Sequence, residues 1–181
     1  MNTAVALSVK RALSAVGHYR RALSRTRFPG VAVLGYHGLR DDALPAGSVP
    51  FENLHVRAST FEAHCRVIRE SCDPISLDDW RGARAGRATL PARPVLVTFD
   101  DGYRSVWTIA GPILKTHAIP AVVFACSEPM ALRQPLWFDA LAERQGEAAV
   151  EQRKADEYGA WRIVNAASKP SSPRSATVSP L

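Results

Sequence analysis

Residues 95–104 read VLVTFDDGYR, an apolar run that ends on two adjacent aspartates and a glycine. The run is short and rich in β-branched and aromatic residues, which predicts a buried β-strand. In parallel α/β folds the carboxyl ends of strands carry the functional sites, because loops and helix N-termini meet there. Gly102 permits a sharp turn, so the carboxylates of Asp100 and Asp101 can both reach one cavity.

The aspartate pair needs an electrostatic explanation. Two carboxylates this close disfavour double ionisation unless a cation lies between them. A divalent metal resolves the conflict, because one carboxylate can bind it while the other accepts a proton from water. The alternative is that one aspartate only caps the next helix, where Asp is a preferred residue.

Strand and helix patterns alternate around this run. Short apolar runs predict buried strands at 31–38 and 119–126 and a shorter strand at 74–77. Residues 40–57 contain prolines and small polar residues and predict a loop. The alternation predicts an α/β fold built from parallel strands with flanking helices.

Two helices follow from apolar spacing. The sequence STFEAHCRVIRES places Phe61, Cys65 and Ile68 on one inward face, and Ser59 with Glu62 three residues later predicts a capping box. A second helix follows Gly102, and Pro112 is expected to kink it.

Positive charge is concentrated at the N-terminus. Residues 1–40 carry seven basic groups and no acid, whereas residues 41–181 carry 16 basic and 17 acidic groups. The net charge of +6 therefore describes an arm and not a nucleic-acid-binding face, so no nucleic-acid partner is expected.

That arm, residues 1–30, predicts a basic amphipathic helix. Its apolar positions recur every three or four residues, with basic residues on the opposite side. Such a helix can make weak contact with an anionic membrane surface, or it can pack on its own domain with the basic face in water. The sequence has no clear signal peptide and no apolar run long enough to span a membrane, so a cytoplasmic or membrane-peripheral location is expected.

The three cysteines form no CxxC pair, which suits a reducing compartment. They are predicted to be small buried apolar side chains and not redox-active groups.

The chain resembles the polysaccharide deacetylase family, whose common part is the NodB-homology domain. The resemblance lies in TFDDGY (98–103), AGPILKTHAIPAVVFAC (110–126) and WFDAL (137–141). The upstream LGYHGL and FEAHCRVIRE segments match the start of one branch of the family. It covers roughly residues 31–141.

The resemblance implies a distorted (β/α) barrel that removes N-acetyl or similar acyl groups from an acetylated polysaccharide or oligosaccharide. It implies that Asp100 is the general base and that Asp101 is a ligand of a divalent metal, commonly zinc. His37 lies where the family often has a Tyr-His pair, which makes it a candidate for substrate binding; a histidine satisfied by neighbouring backbone is the alternative.

The sequence departs from the family pattern in its later part. The family completes its metal site with a His-(Ser/Thr)-x-x-His motif, because histidines four apart on a helix converge on one ion. No two of the five histidines here are four apart, and none follows His117. The barrel also looks incomplete, with about four strand candidates. Residues 142–181 predict a divergent, largely disordered tail.

These departures predict a truncated or frame-shifted product, for which the downstream gene sequence is the test. Three functions therefore remain open: a metal-dependent deacetylase, a catalytically inactive deacetylase fragment, and a glycosidase that uses both aspartates. The glycosidase ranks last, because its carboxylates lie about 5–9.5 Å apart across the scissile bond, which adjacent residues fit poorly.

Overall fold

The computed structural model describes residues 17–156. Most of the basic arm and most of the predicted disordered tail therefore lie outside the described residues. The chain divides into two compact units, residues 1–136 and residues 137–181, and each is described by itself. No helix within the described part is long and apolar enough to cross a membrane.

The first unit contains six strands and five α-helices within residues 17–136. In chain order the strands are β1 (Ala32–Tyr36), β2 (Gly38–Arg40), β3 (His55–Arg57), β4 (Asp73–Pro74), β5 (Pro94–Asp101) and β6 (Ala121–Ala125). The helices are α1 (His18–Arg25), α2 (Ala58–Ser71), α3 (Leu77–Arg84), α4 (Gly111–Thr116) and α5 (Ser127–Leu132), with a 3-10 turn at Glu52–Leu54 and a π-helical turn at Val106–Ala110.

Strand β5 is the centre of a four-stranded parallel sheet. Strands β1, β4 and β6 all pair with it in parallel. Val95 pairs with both Ala32 and Pro74, so β1 and β4 lie on opposite sides of β5, and β6 continues on the β4 side. The structure confirms the predicted α/β class, and within the described residues the sheet does not close into a barrel.

The core lies between one face of β5 and the flanking helices. Val95, Val97 and Phe99 alternate along the strand and pack with the α2 residues Phe61 and Cys65, all at most 2% exposed. The predicted inward face of this helix is therefore confirmed. Burial, with a smaller contribution from Glu62, raises the pKa of the Cys65 thiol to about 11, so this side chain packs as a neutral apolar group.

Strands β1 and β6 are not the buried strands that their apolar sequences predicted. Most of their residues are exposed, including Val33 at 58% and Phe124 at 55%. The physical reason is that each has a strand neighbour on only one side within residues 17–156. Apolar composition predicted the strands, but their burial depends on how many neighbours the sheet provides.

The segment predicted to be a loop, residues 40–57, is more ordered than expected. It contains most of a second parallel sheet, in which β2 pairs with β3. The Arg40 guanidinium forms an ion pair with Glu52, and Arg40 is buried. The predicted strand at 74–77 is also displaced, because β4 covers only Asp73–Pro74 and α3 begins at Leu77.

The capping box predicted at Ser59 and Glu62 is wrong. Helix α2 begins at Ala58 directly after β3, and the Ser59 N–H and hydroxyl both donate to the carboxylate of Asp42, at 2.9 and 2.7 Å. A capping box does occur at α3, between Ser76 and Asp79.

The hydrogen bonds between Asp42 and Ser59 should make the free energy of unfolding depend on pH. Its hydrogen bonds from Ser59 lower the pKa of Asp42 below its ordinary value of 3.8. A lowered folded-state pKa gives stability that is complete above the ordinary value and is lost as the pH falls through the folded value. We expect Asp42→Asn to reduce the difference in Tm between neutral pH and about pH 3. Asp41→Asn is the matched control. The Asp41 carboxylate accepts a hydrogen bond from the Ala43 amide of its own loop, whereas the Asp42 carboxylate holds the start of α2. Equal pH dependence in both variants would contradict the assignment.

Two features depart from a regular helix. Gly17 has a φ of 71°, so a left-handed residue directly precedes α1, and the part of the helix predicted over 1–30 that comes before Gly17 lies outside the described residues. Leu23 on α1 lines an apolar cavity with Val67 and Ile68 of α2, so this part of the arm packs on its own domain.

The helix after Gly102 contains a π-helical turn directly before Pro112. In this turn the Gly111 N–H donates to the Val106 carbonyl, five residues earlier.

The second unit is described as far as residue 156. It contains α6 (Trp137–Gln145) and a further helical segment at 147–156. Arg153 stacks over the Trp137 ring at 4.6 Å. The part of the predicted tail that is described, residues 142–156, is therefore largely helical.

Candidate active site

The two aspartates end the central strand, as the sequence predicted. Asp100 pairs in register with Phe124 of β6, and Asp101 pairs with Ala125. Strand alternation places Asp100 on the same face as Leu96 and Thr98, opposite the helix-covered face. The helix that follows begins at residue 104, so neither aspartate occupies its N-cap position. This argues against the simple capping alternative.

A tight turn at Asp101 redirects the second carboxylate. Asp101 has a φ of 69°, and the Gly102 N–H donates to the Asp100 carbonyl at 2.9 Å. A hydrogen bond from residue i+2 to residue i around a central residue with positive φ is a γ-turn, which is rare and strained. The Cys126 N–H donates to the Asp101 carbonyl at 3.2 Å and helps to hold this geometry. Such strain is typical of functional sites.

His37 lies next to the second aspartate. Its Nε2 is 4.0 Å from Oδ2 of Asp101, and the two side chains are 37% and 20% exposed. His37 is the single residue between β1 and β2, so the end of β1 brings it to the same edge as the end of β5. The structure thus assembles residues that the sequence separates by more than sixty positions.

Tyr36 does not face this site with His37. Its hydroxyl is 3.2 Å from Nδ1 of His64, and its ring lies 5.0 Å from Phe61 and 5.6 Å from Phe99. Burial, assisted by Cys65, raises the pKa of Tyr36 to about 12. Of the expected Tyr-His pair, the tyrosine therefore belongs to the core.

Three residues near the site were missed in the sequence. The Leu39 N–H donates to Oγ of Ser105 at 2.9 Å, and the His55 ring contacts the Tyr103 ring edge-on with centroids 4.9 Å apart. Ser105 and Tyr103 directly follow the DDG turn, and that proximity was an available signal. His55 gave no signal, because it lies in a segment predicted to be a loop.

The described residues do not complete a catalytic metal site. Within residues 17–156, no group of three or more His, Cys, Asp and Glu side chains is arranged to hold a metal ion. A catalytic zinc ion usually takes three protein ligands. Asp101 can supply one carboxylate ligand, but the set around it is too small for zinc on its own.

Residues 87–152 match the model of the family described as polysaccharide deacetylase. The match begins before β5, includes both aspartates and continues into the second unit. It therefore extends into residues 142–152, at the start of the segment for which the sequence predicts a divergent tail.

One curated relative is the poly-β-1,6-N-acetyl-D-glucosamine N-deacetylase of Escherichia coli strain K12. It is 28% identical over 136 residues, which cover 75% of this chain and 18% of the relative. The chain thus spans about a fifth of that relative's length.

Two solved structures are also similar. A de-N-acetylase from Aggregatibacter actinomycetemcomitans is 29% identical, with a TM-score of 0.47 over 51% of this chain and 36% of that protein. IcaB from Ammonifex degensii is 31% identical, with a TM-score of 0.46 over 55% of this chain and 40% of that protein.

Proposed function

We propose that part of this chain is a polysaccharide deacetylase domain and that the site at the end of β5 removes N-acetyl or similar acyl groups from a carbohydrate. The observation that carries the proposal is the meeting of Asp100, Asp101 and His37 at the carboxyl edge of one parallel sheet. That edge is where parallel α/β enzymes build their sites. The E. coli relative is named for a poly-β-1,6-linked N-acetylglucosamine, so we propose an acetylated polymer of this class as substrate.

Asp100 is the proposed general base. Its carboxylate accepts a proton from water while the water oxygen bonds to the acyl carbon of the N-acetyl group. The carbonyl electrons move onto oxygen and return when the carbon–nitrogen bond breaks. The nitrogen takes up the proton that Asp100 accepted as it leaves, which restores the Asp100 carboxylate, so the products are acetate and a free amine on the sugar. No peptide bond is involved.

Asp101 and His37 have supporting roles in the proposal. Asp101 is the proposed carboxylate ligand of a divalent metal, with zinc as the metal that the family resemblance implies. Because residues 17–156 do not complete the ligand set, zinc binding of normal strength requires further ligands. His37, more than a third exposed beside Asp101, is the proposed contact to a substrate oxygen.

A second candidate function is a deacetylase-like module without activity of its own. It is favoured by the ligand set that residues 17–156 leave incomplete and by the absence of any histidine after His117 in the printed sequence. In this case deacetylation would require ligands beyond those that these residues supply.

Zinc titration separates the two candidates. Isothermal calorimetry of the full chain should show weak zinc binding that Asp101→Ala abolishes and Asp78→Ala leaves unchanged. Asp78 is the matched control because its side chain is 92% exposed at the start of α3. Zinc binding that Asp101→Ala does not alter would overturn the ligand assignment, and a folded wild-type chain that binds no zinc would favour the inactive module.

A further inference from the structure

The strand after His37 is attached to the main sheet indirectly. Tyr36, the last residue of β1, pairs with Phe99 of β5, so the sheet fixes the chain before His37, whereas β2, which follows His37, pairs with β3 and not with β5. The 4.0 Å separation between His37 Nε2 and Asp101 Oδ2 therefore also depends on the contacts that hold β2 against the residues after Asp101.

One of these contacts is a single hydrogen bond. The Leu39 amide, two residues after His37, donates to Oγ of Ser105, four residues after Asp101, at 2.9 Å. The bond is partly buried and joins segments 66 positions apart in sequence. Without the hydroxyl, the Leu39 N–H would lose this acceptor, and an unmet donor at such a position is costly.

The second contact is an aromatic ring wedged between the same two segments. The His55 ring lies so close to Gly38 that a Cβ at position 38 would overlap it. The same ring also contacts Tyr103, with centroids 4.9 Å apart and planes at 72°. His55 Nδ1 lies 3.3 Å from the Phe51 carbonyl, which orients the ring.

We infer that Ser105 and His55 are positioning residues that hold His37 opposite Asp101. The two contacts join the residues after His37 to the residues after Asp101 at separate points, so together they restrict both translation and tilt of β2. The inference rests on the proposed function for its catalytic consequence, because misplacement of a substrate-contacting group by about 1 Å can reduce turnover by about 100-fold.

The first test compares Ser105→Ala with two matched variants. Ser105→Thr keeps the hydroxyl. Thr108→Ala removes another hydroxyl from the same helix, one that donates to the Arg104 carbonyl within that helix. We expect Ser105→Ala to lower kcat at least about tenfold with KM changed less than about twofold. Ser105→Thr should recover most of the loss, and Thr108→Ala should match wild type.

A readout independent of catalysis keeps the inference testable if the chain proves inactive. In NMR spectra, Ser105→Ala should speed hydrogen exchange of the Leu39 amide and move the His37 ring resonances, which His37→Gln identifies. His55→Ala should move the same ring resonances, whereas His55→Phe, which retains a ring, should move them less. If Ser105→Ala and His55→Ala leave the His37 resonances where Thr108→Ala does, the positioning role is wrong. An inactive wild type with the expected NMR changes would contradict the proposed function alone.

Discussion

Asp100→Asn is expected to reduce deacetylation by about 100- to 10,000-fold, the range for loss of a general base. The amide is nearly the same size as the carboxylate, so the variant should fold normally, but it cannot accept the proton from water. Turnover is measured as acetate released from N-acetylglucosamine oligomers, and circular dichroism confirms that the fold is retained.

The control for this variant is a carboxylate far from the site. Asp78→Asn changes the same functional group in the first turn of α3 and should leave turnover within about twofold of wild type. If Asp100→Asn retains wild-type turnover, Asp100 is not the base, and an alternative acceptor such as His37 would have to be considered.

Gly102→Ala is expected to be the most damaging small substitution near the site. Gly102 has a φ of 81°, which costs an L-residue about 1–2 kcal/mol. A Cβ there would also lie 2.8 Å from the Ala125 Cβ and 3.2 Å from its Cα, and overpacking of this kind costs about 1–3 kcal/mol. Because Ala125 pairs with Asp101, relief of the clash would displace the second carboxylate.

Gly86→Ala isolates the backbone part of this effect. Gly86 has a φ of 70°, but a Cβ there would have no atom within 4 Å. Chemical denaturation should therefore show a smaller loss of unfolding free energy for Gly86→Ala than for Gly102→Ala, and only Gly102→Ala should also reduce turnover. Equal losses in both variants would show that the contact with Ala125 is unimportant.

The sequence predicted the elements of the sheet better than their environment. Composition and length located β5 and its terminal aspartates, because a β-branched run before Asp-Asp-Gly has few other interpretations. The exposure of Val33 and Phe124 was not predictable in this way, since it depends on neighbouring strands and not on the local sequence. The cap from Asp42 to Ser59 was equally hidden, because it joins residues 17 positions apart through a segment that resembled a loop.

The sequence predicted three candidate site residues but not their geometry. The two aspartates came from the local pattern and His37 from the family resemblance; the structure brings them to one edge of the sheet, and their roles stay predictions. The positive φ of Asp101 had only a weak sequence signal, since aspartate is enriched among the few non-glycine residues that adopt this conformation but seldom adopts it. Ser105 and His55 act through contacts that depend on where β2 lies, and no periodic pattern records that position.

The central claim is that the end of β5 carries the base and one metal ligand of a carbohydrate deacetylase site. The most direct measurement is acetate release from β-1,6-linked N-acetylglucosamine oligomers by the full chain with added zinc, with and without a chelator. The account predicts release that the chelator stops and that Asp100→Asn and Asp101→Ala both abolish. Release that persists in the Asp100→Asn variant, or no release from a folded, zinc-loaded chain, would contradict it.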